Sequence, residues 1–482
     1  MYSHPTALPT AQGERAPGRC LSTLLVVLVL AAAGAPDAAS MARAAPHTGL
    51  LVTKTADTND GSCDALDCSL REAVIAANAT AEAEVIVVPA GTYALTLYGP
   101  GEDAAATGDL DIMAGVVISG GGAASVSAAG LGDRVFQVLA QAGEVTLAGL
   151  AITGGSPGPC PEEYLGGGGI LNAATLTVAD SVVSGNAACH RGGGIASVGS
   201  LVLVRSTVAG NTTSCMGGGV DGRGGLTLVD STIRDNVVHN VSGGGASGGG
   251  IAFAGDLGIS GSTIAGNTVH AVEDSSQANN ALGAGVFHYD YGLSMVNSTL
   301  SGNYAVLESP SGKTPAGQAM GGGLYAGSYA TLNHVTIVAN HAEASGGGRS
   351  LGGGIGTADG WVEATNTLLA GNVAAHGPDC EGTLDSHDHN LIENPSGCEV
   401  EGALVHSVLG QAARLGPLQF NGGRTPTHAL LPGSPAIDAG CPVACTPDDQ
   451  RGVPRPQGHA CDIGAFEAHA PVWLPAVVRF QP

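Results

Sequence analysis

Basic and aromatic residues are both scarce in this chain. Of its 482 residues only 17 are Lys or Arg, against 41 Asp or Glu, which gives a formal net charge of −24. A surface of that sign repels nucleic acid and anionic lipid, so we expect neither as a partner. Aromatic residues make up 4% and charged residues 12% of the chain, whereas 44% of the residues are hydrophobic. That hydrophobic content argues against a disordered chain.

Glycine, by contrast, is abundant, with 78 residues where a typical chain contains about 7%. The glycines do not follow a Gly-X-Y period, which excludes collagen, and a structured repeat is the remaining explanation. We interpret the scattered carboxylates as a solvated acidic surface that could also bind Ca²⁺, and we expect no other cofactor.

The N-terminal residues 1–44 have the pattern of a secretory signal peptide. Arg15 and Arg19 form its basic region, residues 21–33 form its apolar region, and small residues at 38–40 and 42–44 offer two cleavage sites. No later segment is long and apolar enough to cross a membrane. We therefore expect a secreted or cell-surface protein without a transmembrane span in the mature chain.

Eleven cysteines are present, and Cys20 would leave with the signal peptide. The ten others form an even set in an oxidising compartment, which predicts disulfides. Close spacing in the sequence predicts three pairs: Cys63–Cys68, Cys380–Cys398 and Cys445–Cys461. The pairing of the other four stays open: Cys160, Cys189, Cys215 and Cys441.

Two short phrases recur along the middle of the chain. The first resembles Ser-Thr-Ile-Ala-Gly-Asn267, and its asparagines lie 25, 25, 31, 36, 37 and 32 residues apart. These asparagines are Asn186, Asn211, Asn236, Asn267, Asn303, Asn340 and Asn372. The second phrase is three glycines followed by an aliphatic residue, as at Ile195, Val220 and Ile251. Strand-sized alternating runs such as Leu201-Val-Leu-Val204 lie between the phrases.

This pattern predicts an all-β fold, a right-handed single-stranded parallel β-helix (solenoid) whose repeats occupy residues 97–400. Glycine suits its tight corners, and asparagines stacked one per turn can bond to each other through their side-chain amides. We expect the variable stretches 272–282 and 307–319 to be outward loops. A β-propeller or a leucine-rich repeat would need aromatic signatures or a leucine ladder, and the chain has neither.

Both ends of a solenoid must be covered, and residues 45–96 predict an N-terminal cap with a first strand at 84–93. Ser69 and Glu72 have the spacing of a capping box, so we expect a short helix to begin there. Its apolar face would consist of Leu70, Ala73, Val74 and Ala77.

Three segments are similar to known families. Cys68-Ser-Leu-Arg-Glu-Ala73 resembles the core of the CSLREA domain of secreted bacterial β-helix proteins, over residues 51–96. The repeats resemble those of polymorphic outer-membrane proteins, although they lack the Phe that usually precedes the asparagine motif. Residues 415–467, with Pro432-Gly-Ser-Pro-Ala-Ile-Asp-Ala-Gly440, resemble the choice-of-anchor Q domain. These resemblances imply an exported surface protein with no established enzymatic chemistry.

The Pro- and Cys-rich region 401–467 is expected to cap the last turn, held by a buried Asp438–Arg451 pair. Residues 468–482 form a short apolar-basic tail that suits either an attachment signal or a final strand.

Two polar clusters are candidates for catalysis. His288, Asp290 and Tyr291 form the first, and the second contains Asp379, Asp385, His387, Asp388 and His389. From these we single out His288, Asp290, Asp385 and Asp388. In the sequence neither cluster shows carboxylates repeated on adjacent strands beside a base, and no aromatic platform for sugars is evident.

The sequence therefore favours a non-catalytic, monomeric β-helix protein of adhesion or surface display, with an extracellular glycan or surface protein as partner. The alternative hypothesis is a polysaccharide lyase or glycoside hydrolase acting in an outer groove of the β-helix.

Overall fold

The computed structural model describes residues 49–469, except 81–82, 159–165, 242–244, 273–278, 310–316 and 359. The expected signal peptide, Cys20, Cys160 and the tail from residue 470 onwards lie outside the described residues, as do parts of both expected loops. No helix within the described ranges is long and apolar enough to cross a membrane.

Parallel strands dominate the fold and stack into four sheets. Sheet 1 contains Leu50–Leu51, Glu84–Val87, Gly91–Ala94, Val116–Ser127, Glu144–Thr153, Thr175–Ala179, Val182–Ser184, Ser200–Val204, Thr207–Ala209, Gly225–Val229, Thr232–Arg234, Asp256–Ser260, Thr263–Ala265, Gly292–Ser301, Tyr329–Val338, Trp361–Thr365, Leu368–Ala370, Cys380–His387, Leu391–Ile392, Cys398–Ala403 and Val408–Leu409. Sheet 2 contains Leu110–Ile112, Phe136–Val138, Ile170–Asn172, Ile195–Ser197, Val220–Gly222, Ile251–Phe253, Val286–His288, Leu324–Ala326 and Ile355–Thr357.

Two smaller parallel sheets complete the turns in the middle of the rod. Sheet 3 contains Thr212–Thr213, Val237–Asn240, Thr268–Val272, Tyr304–Glu308 and His341–Ala344, and sheet 4 contains Ala246–Ser247, Asn280–Leu282, Gln318–Met320 and Arg349–Leu351. Outside these sheets lie a 3₁₀ turn, Ala140–Ala142, and one antiparallel pair, Leu415–Gln419 with Thr427–Leu430.

One turn shows how the sequence phrases become the β-helix. Ile195–Ser197 of sheet 2 leads to Ser200–Val204 and Thr207–Ala209 of sheet 1. Between the last two strands the chain bends at Arg205, whose φ is 47°. We call the part of sheet 1 before this bend sheet 1a and the part after it sheet 1b. Ile195 aligns in parallel register with Val220, 25 residues later, which confirms the predicted parallel β-helix.

The predicted asparagine ladder is continuous. The side-chain amide of each asparagine donates to the side-chain oxygen of the next at 2.8–3.0 Å, from Asn186 to Asn372. The same side-chain oxygen accepts the backbone N–H of the preceding asparagine, as in Asn236 N–H to Asn267 Oδ1 at 3.1 Å. Asn372 donates at 2.8 Å to Asp379, which ends the ladder.

The glycine phrase recurs with the asparagine phrase because the two pack against each other. A Cβ on Gly250 would lie 2.6 Å from the carbonyl oxygen of Gly285 and 2.9 Å from Nδ2 of Asn267. Only a residue without a side chain allows this approach. The last glycine of each triplet therefore leaves room for the ladder of buried amides.

The N-terminal cap forms as predicted. The helix Leu70–Asn78 begins with a complete capping box of Ser69 and Glu72, and the Cys63–Cys68 disulfide lies beside it. The sequence did not reveal the role of Arg71, which is fully buried in the helix. Its guanidinium pairs with Asp57, with Nε 2.7 Å from Oδ1, and donates to the carbonyl oxygens of Ala105, Gly108 and Asp109. The first strand is Leu50–Leu51, earlier than expected, and it pairs with Glu84–Val87.

The C-terminal region covers more than the last turn. It runs along the outside of sheet 1b, where Gln450 accepts a hydrogen bond from Thr299 and donates to Thr263. Further along, the backbone N–H of Ala465 donates to Thr336. A hydrophobic cluster that includes Leu368, Leu391, Ile463 and Phe466 fills the interface.

The prediction of a buried Asp438–Arg451 pair is wrong. Arg451 pairs instead with the buried Asp449, with Nη2 2.6 Å from Oδ2, while Asp438 accepts the backbone N–H of Ala460.

The disulfides Cys380–Cys398 and Cys445–Cys461 are present as predicted. Cys189 and Cys441 are also disulfide-bonded, and Cys215 is a free thiol.

Replacement of Asn267 by Ala tests the ladder. The variant leaves the carbonyl oxygen of Ile233 and the amide of Asn236 without their buried partners. We expect the free energy of unfolding to fall by about 3 kcal/mol, because each buried polar group left unpaired costs about 1–3 kcal/mol. Urea denaturation followed by circular dichroism measures this change. Thr212→Ala, at an exposed position next to the ladder residue Asn211, serves as the control; an equal loss in both variants would contradict the ladder's role.

Candidate functional site

Carboxylates line up on the outer face of sheet 1a near the C-terminal end of the rod. Strand alternation buries Val362 and Leu384 and turns Glu363 and Asp385 outward. Glu363 is in register with Asp385, and Asp385 with Glu401 on the next strand. Neighbouring parallel strands lie about 4.8 Å apart, so the backbone positions of the three carboxylates are separated by about that distance from one strand to the next.

His387 joins the first two carboxylates, and we call Glu363, Asp385 and His387 the carboxylate cluster. Nε2 of His387 lies 3.7 Å from Oδ2 of Asp385 and 3.9 Å from Oε2 of Glu363. One ligand atom from each residue lies within 4.8 Å of the other two. The three side chains are between 17% and 23% exposed, so they are reachable from solvent and held by their neighbours.

Two aromatic residues flank the cluster. Tyr329 and Trp361 are in register on adjacent strands, and each is 42% exposed. The Tyr329 hydroxyl donates to Oε2 of Glu363 at 2.8 Å, which orients that carboxylate. Partial burial, with this bond and the charges of Glu363 and Asp385, raises the pKa of Tyr329 to about 12. This aromatic pair was not evident from the sequence.

The arrangement suits two kinds of chemistry. Of two carboxyl groups about 5 Å apart, one can act as the nucleophile and the other as the general acid in glycoside hydrolysis. Two carboxylate oxygens and an imidazole nitrogen at these distances can also ligate a divalent transition-metal ion. Within the described part of the chain, no Lys or Arg forms an ion pair with Glu363, Asp385 or Glu401.

Two other groupings of ligand atoms are less suited to a metal. The carboxylates of Asp60, Asp67 and Glu72 surround the ammonium of Lys54, which already supplies the positive charge. In the grouping of His334, Cys445 and Cys461, both cysteines are held in a disulfide.

The structure separates the first pair of sequence candidates. His288 is the fully buried last residue of the sheet 2 strand Val286–His288, and its Nε2 lies 3.0 Å from the carbonyl oxygen of Gly255. Burial lowers the pKa of His288. Asp290 lies on the exposed corner, where its carboxylate accepts the backbone N–H of Tyr291. These two residues do not form a site together.

The second set divides as well. Asp385 and His387 belong to the carboxylate cluster, whereas Asp388 is 6% exposed. Its carboxylate accepts the backbone N–H groups of His389 and His406 and lies 2.8 Å from Nδ1 of His406. Asp388 thus fastens the corner that follows sheet 1a, and Asp379 ends the asparagine ladder.

Glu363 is the functional candidate that the sequence reasoning missed. It precedes Asp385 by 22 residues, a shorter step than the regular turns, because the strand Cys380–His387 pairs with both sheet 2 and sheet 1a. Aligning Trp361-Val-Glu-Ala with Thr383-Leu-Asp-Ser by their alternation would have found the pair.

Comparisons with known proteins give information on the fold alone. No protein-family model and no curated protein matches the chain. Among solved structures it is similar to pectate lyase Pel9A, with a TM-score of 0.45 and 13% identity over 87% of this chain and 95% of that one. It is also similar to a PL6 alginate lyase, with a TM-score of 0.32 and 13% identity over 80% of this chain and 93% of that one.

Our expectation of a non-catalytic protein of adhesion or surface display was wrong by this comparison. Both similar structures are polysaccharide lyases, one of the two enzyme classes in our alternative hypothesis. Both likenesses have 13% identity and TM-scores below 0.5, so no substrate or residue role of those lyases is transferred to this chain.

Asp388→Asn tests the structural role of that carboxylate. Burial raises the pKa of Asp388, but the hydrogen bonds from His406 and His389 lower it overall. Its stabilising effect is therefore complete above the ordinary aspartate pKa and is lost as the pH falls through the lowered value. We expect the variant to lose about 1–3 kcal/mol of unfolding free energy at pH 7.

The loss should shrink as the pH falls below about 4, near the ordinary aspartate pKa. Chemical denaturation across this pH range measures it, with the exposed Asp290→Asn as the control. A loss that did not depend on pH would contradict this account of Asp388.

Proposed function

We propose that this protein cleaves an extracellular polysaccharide on the outer face of sheet 1a, as a glycoside hydrolase. The observation that carries the proposal is the in-register pair Glu363 and Asp385, whose carboxylates lie within 4.8 Å of His387 and of each other. Carboxyl groups about 5–5.5 Å apart are typical of hydrolases that retain the anomeric configuration, whereas inverting enzymes space them at about 6.5–9.5 Å.

The surroundings of the two carboxylates suggest their roles. Glu363, oriented by the Tyr329 hydroxyl, attacks the anomeric carbon, and a glycosyl ester forms as the bond to the leaving oxygen breaks. Asp385, in its acid form, gives its proton to that oxygen. Asp385 then takes a proton from water as the water attacks the ester, which releases the sugar and restores Glu363.

A neutral polysaccharide is the substrate class that the charge of the site favours. No Lys or Arg pairs with the cluster within the described residues, and a formal charge of −24 repels polyuronates. The exposed rings of Trp361 and Tyr329 offer the apolar surface on which sugar rings stack.

The setting of this activity is extracellular in our proposal. The three predicted disulfides are present, and disulfides persist mainly in oxidising compartments. The signal-peptide pattern of residues 1–44 and the resemblance to exported CSLREA and choice-of-anchor Q proteins agree with this.

Elimination is the second candidate reaction, and the grouping of Glu363, Asp385 and His387 favours it. A divalent cation such as Ca²⁺, held by the carboxylate oxygens of Glu363 and Asp385, would neutralise the carboxylate of a uronate. Elimination gives an unsaturated sugar, whereas hydrolysis consumes water and does not, so the products distinguish the two.

The test is incubation of the mature protein with neutral and acidic polysaccharides, with Ca²⁺ and with a chelator. We expect reducing ends to appear from a neutral glycan, without unsaturated sugars and without a need for Ca²⁺. Glu363→Gln and Asp385→Asn should each lower the rate by at least about 100-fold, as loss of a catalytic acid or base does.

Asp290→Asn, an exposed carboxylate outside the cluster, is the matched control and should keep full activity. Thermal denaturation of each variant checks that the fold is intact. Unsaturated products that require Ca²⁺ would assign elimination in place of hydrolysis. Cleavage that survives both cluster variants, or no cleavage of any glycan, would overturn the proposal.

A further inference from the structure

A groove of about 470 Å³ lies on sheet 3, away from the carboxylate cluster. Three adjacent strands form it: Thr268–Val272, Tyr304–Glu308 and His341–Ala344. Strand alternation buries Ala305 and Leu307 in the core and turns the residues between them outward. The groove is lined by Val272, Tyr304, Val306, Glu308, Glu343 and Ser345.

Contacts between neighbouring turns fix one side of the groove. The Tyr304 hydroxyl donates to Oε2 of Glu343 at 2.7 Å, which raises the pKa of Tyr304. The Tyr304 ring also stacks on His341, with the ring centres 4.8 Å apart. Glu343 is thus held in place before any ligand arrives, which lowers the entropy cost of binding.

The opposite side carries the second carboxylate. Oε1 of Glu308 lies 3.0 Å from Nε2 of His270, and the His270 ring stacks on His239 at 4.8 Å between centres with a tilt of 5°. Between the two carboxylates, Val272 and Val306 provide apolar surface.

The charged residues that line the groove are both acidic. Among the described residues, its lining includes two carboxylates and no Lys or Arg, and no Lys or Arg forms an ion pair with Glu308 or Glu343. A ligand that fits must bring positive charge to the carboxylates, hydroxyl groups for Tyr304 and Ser345, and one apolar face for the valines. A hexose ring with a protonated amino group combines all three.

We propose that the groove of sheet 3 is a second carbohydrate-binding site, specific for sugars that carry a free amino group. This site goes beyond the proposed cleavage site and does not depend on it. The basic side chain of a protein would satisfy the carboxylates but would leave the hydroxyl groups of the groove unused, so we favour the amino sugar.

Isothermal titration calorimetry with a glucosamine tetramer tests the proposal, at a pH where its amines are protonated. The Glu363→Gln variant serves as the starting protein, so that the ligand is not cleaved. We expect the N-acetylated tetramer, which is neutral, to bind at least about tenfold more weakly, as expected for loss of one charge-assisted hydrogen bond.

Glu343→Gln and Glu308→Gln, added singly to the starting protein, should each weaken glucosamine binding by at least about tenfold. Asp290→Asn in the same background is the control and should bind normally. Glu343→Gln in the otherwise unchanged protein should retain its cleavage activity.

Equal binding of the two tetramers, no binding of the glucosamine tetramer, or binding that both groove variants leave unchanged would overturn the inference. Binding that depends on the groove carboxylates would uphold it even in a protein that cleaves no glycan. Failure of this proposal and failure of the proposed hydrolase are therefore distinguishable.

Discussion

The ladder of buried asparagine amides is the interaction on which the rest of the structure depends. It fixes one point of each turn directly above the same point of the turn below, from Asn186 to Asn372. It also requires a bare glycine opposite each amide, as at Gly250. With the corner fixed, the strands on either side align in register and their inward apolar side chains stack in the interior of the β-helix. Insertions between the phrases then lengthen a turn without disturbing its pairing.

A rod built this way has several outer faces, and the chain uses them differently. The C-terminal region covers sheet 1b and buries Gln450 against the strands. Sheet 1a stays open near its C-terminal end, where Glu363 and Asp385 lie on neighbouring strands. Within the described ranges sheet 3 is uncovered as well, and it carries the groove of Tyr304 and Glu343. Since each strand of a turn contributes only one to three outward side chains, a functional site on such a rod is assembled from residues about one turn apart in sequence.

This assembly explains what the sequence predicts well and what it does not. The ladder, the capping box of Ser69 and Glu72 and the three disulfides depend on local or repeated patterns, and all are confirmed. The buried Arg71–Asp57 pair and the docking of Gln450 depend on contacts between segments that are distant in sequence. No sequence pattern marks those segments as neighbours. Asp385 was a sequence candidate, but its partner Glu363 was missed because the turn between them is shorter than the repeat.

The central claim is that Glu363 acts as a nucleophile beside Asp385, and trapping its glycosyl ester tests it most directly. The mature protein would be incubated with a 2-deoxy-2-fluoro glycoside that carries a good leaving group, then analysed by intact-mass spectrometry and peptide mapping. The account predicts a single added sugar on the peptide that contains Glu363, and none in the Glu363→Gln variant. A protein that stays unlabelled while it turns over substrate, or a sugar on a different carboxylate, would contradict it.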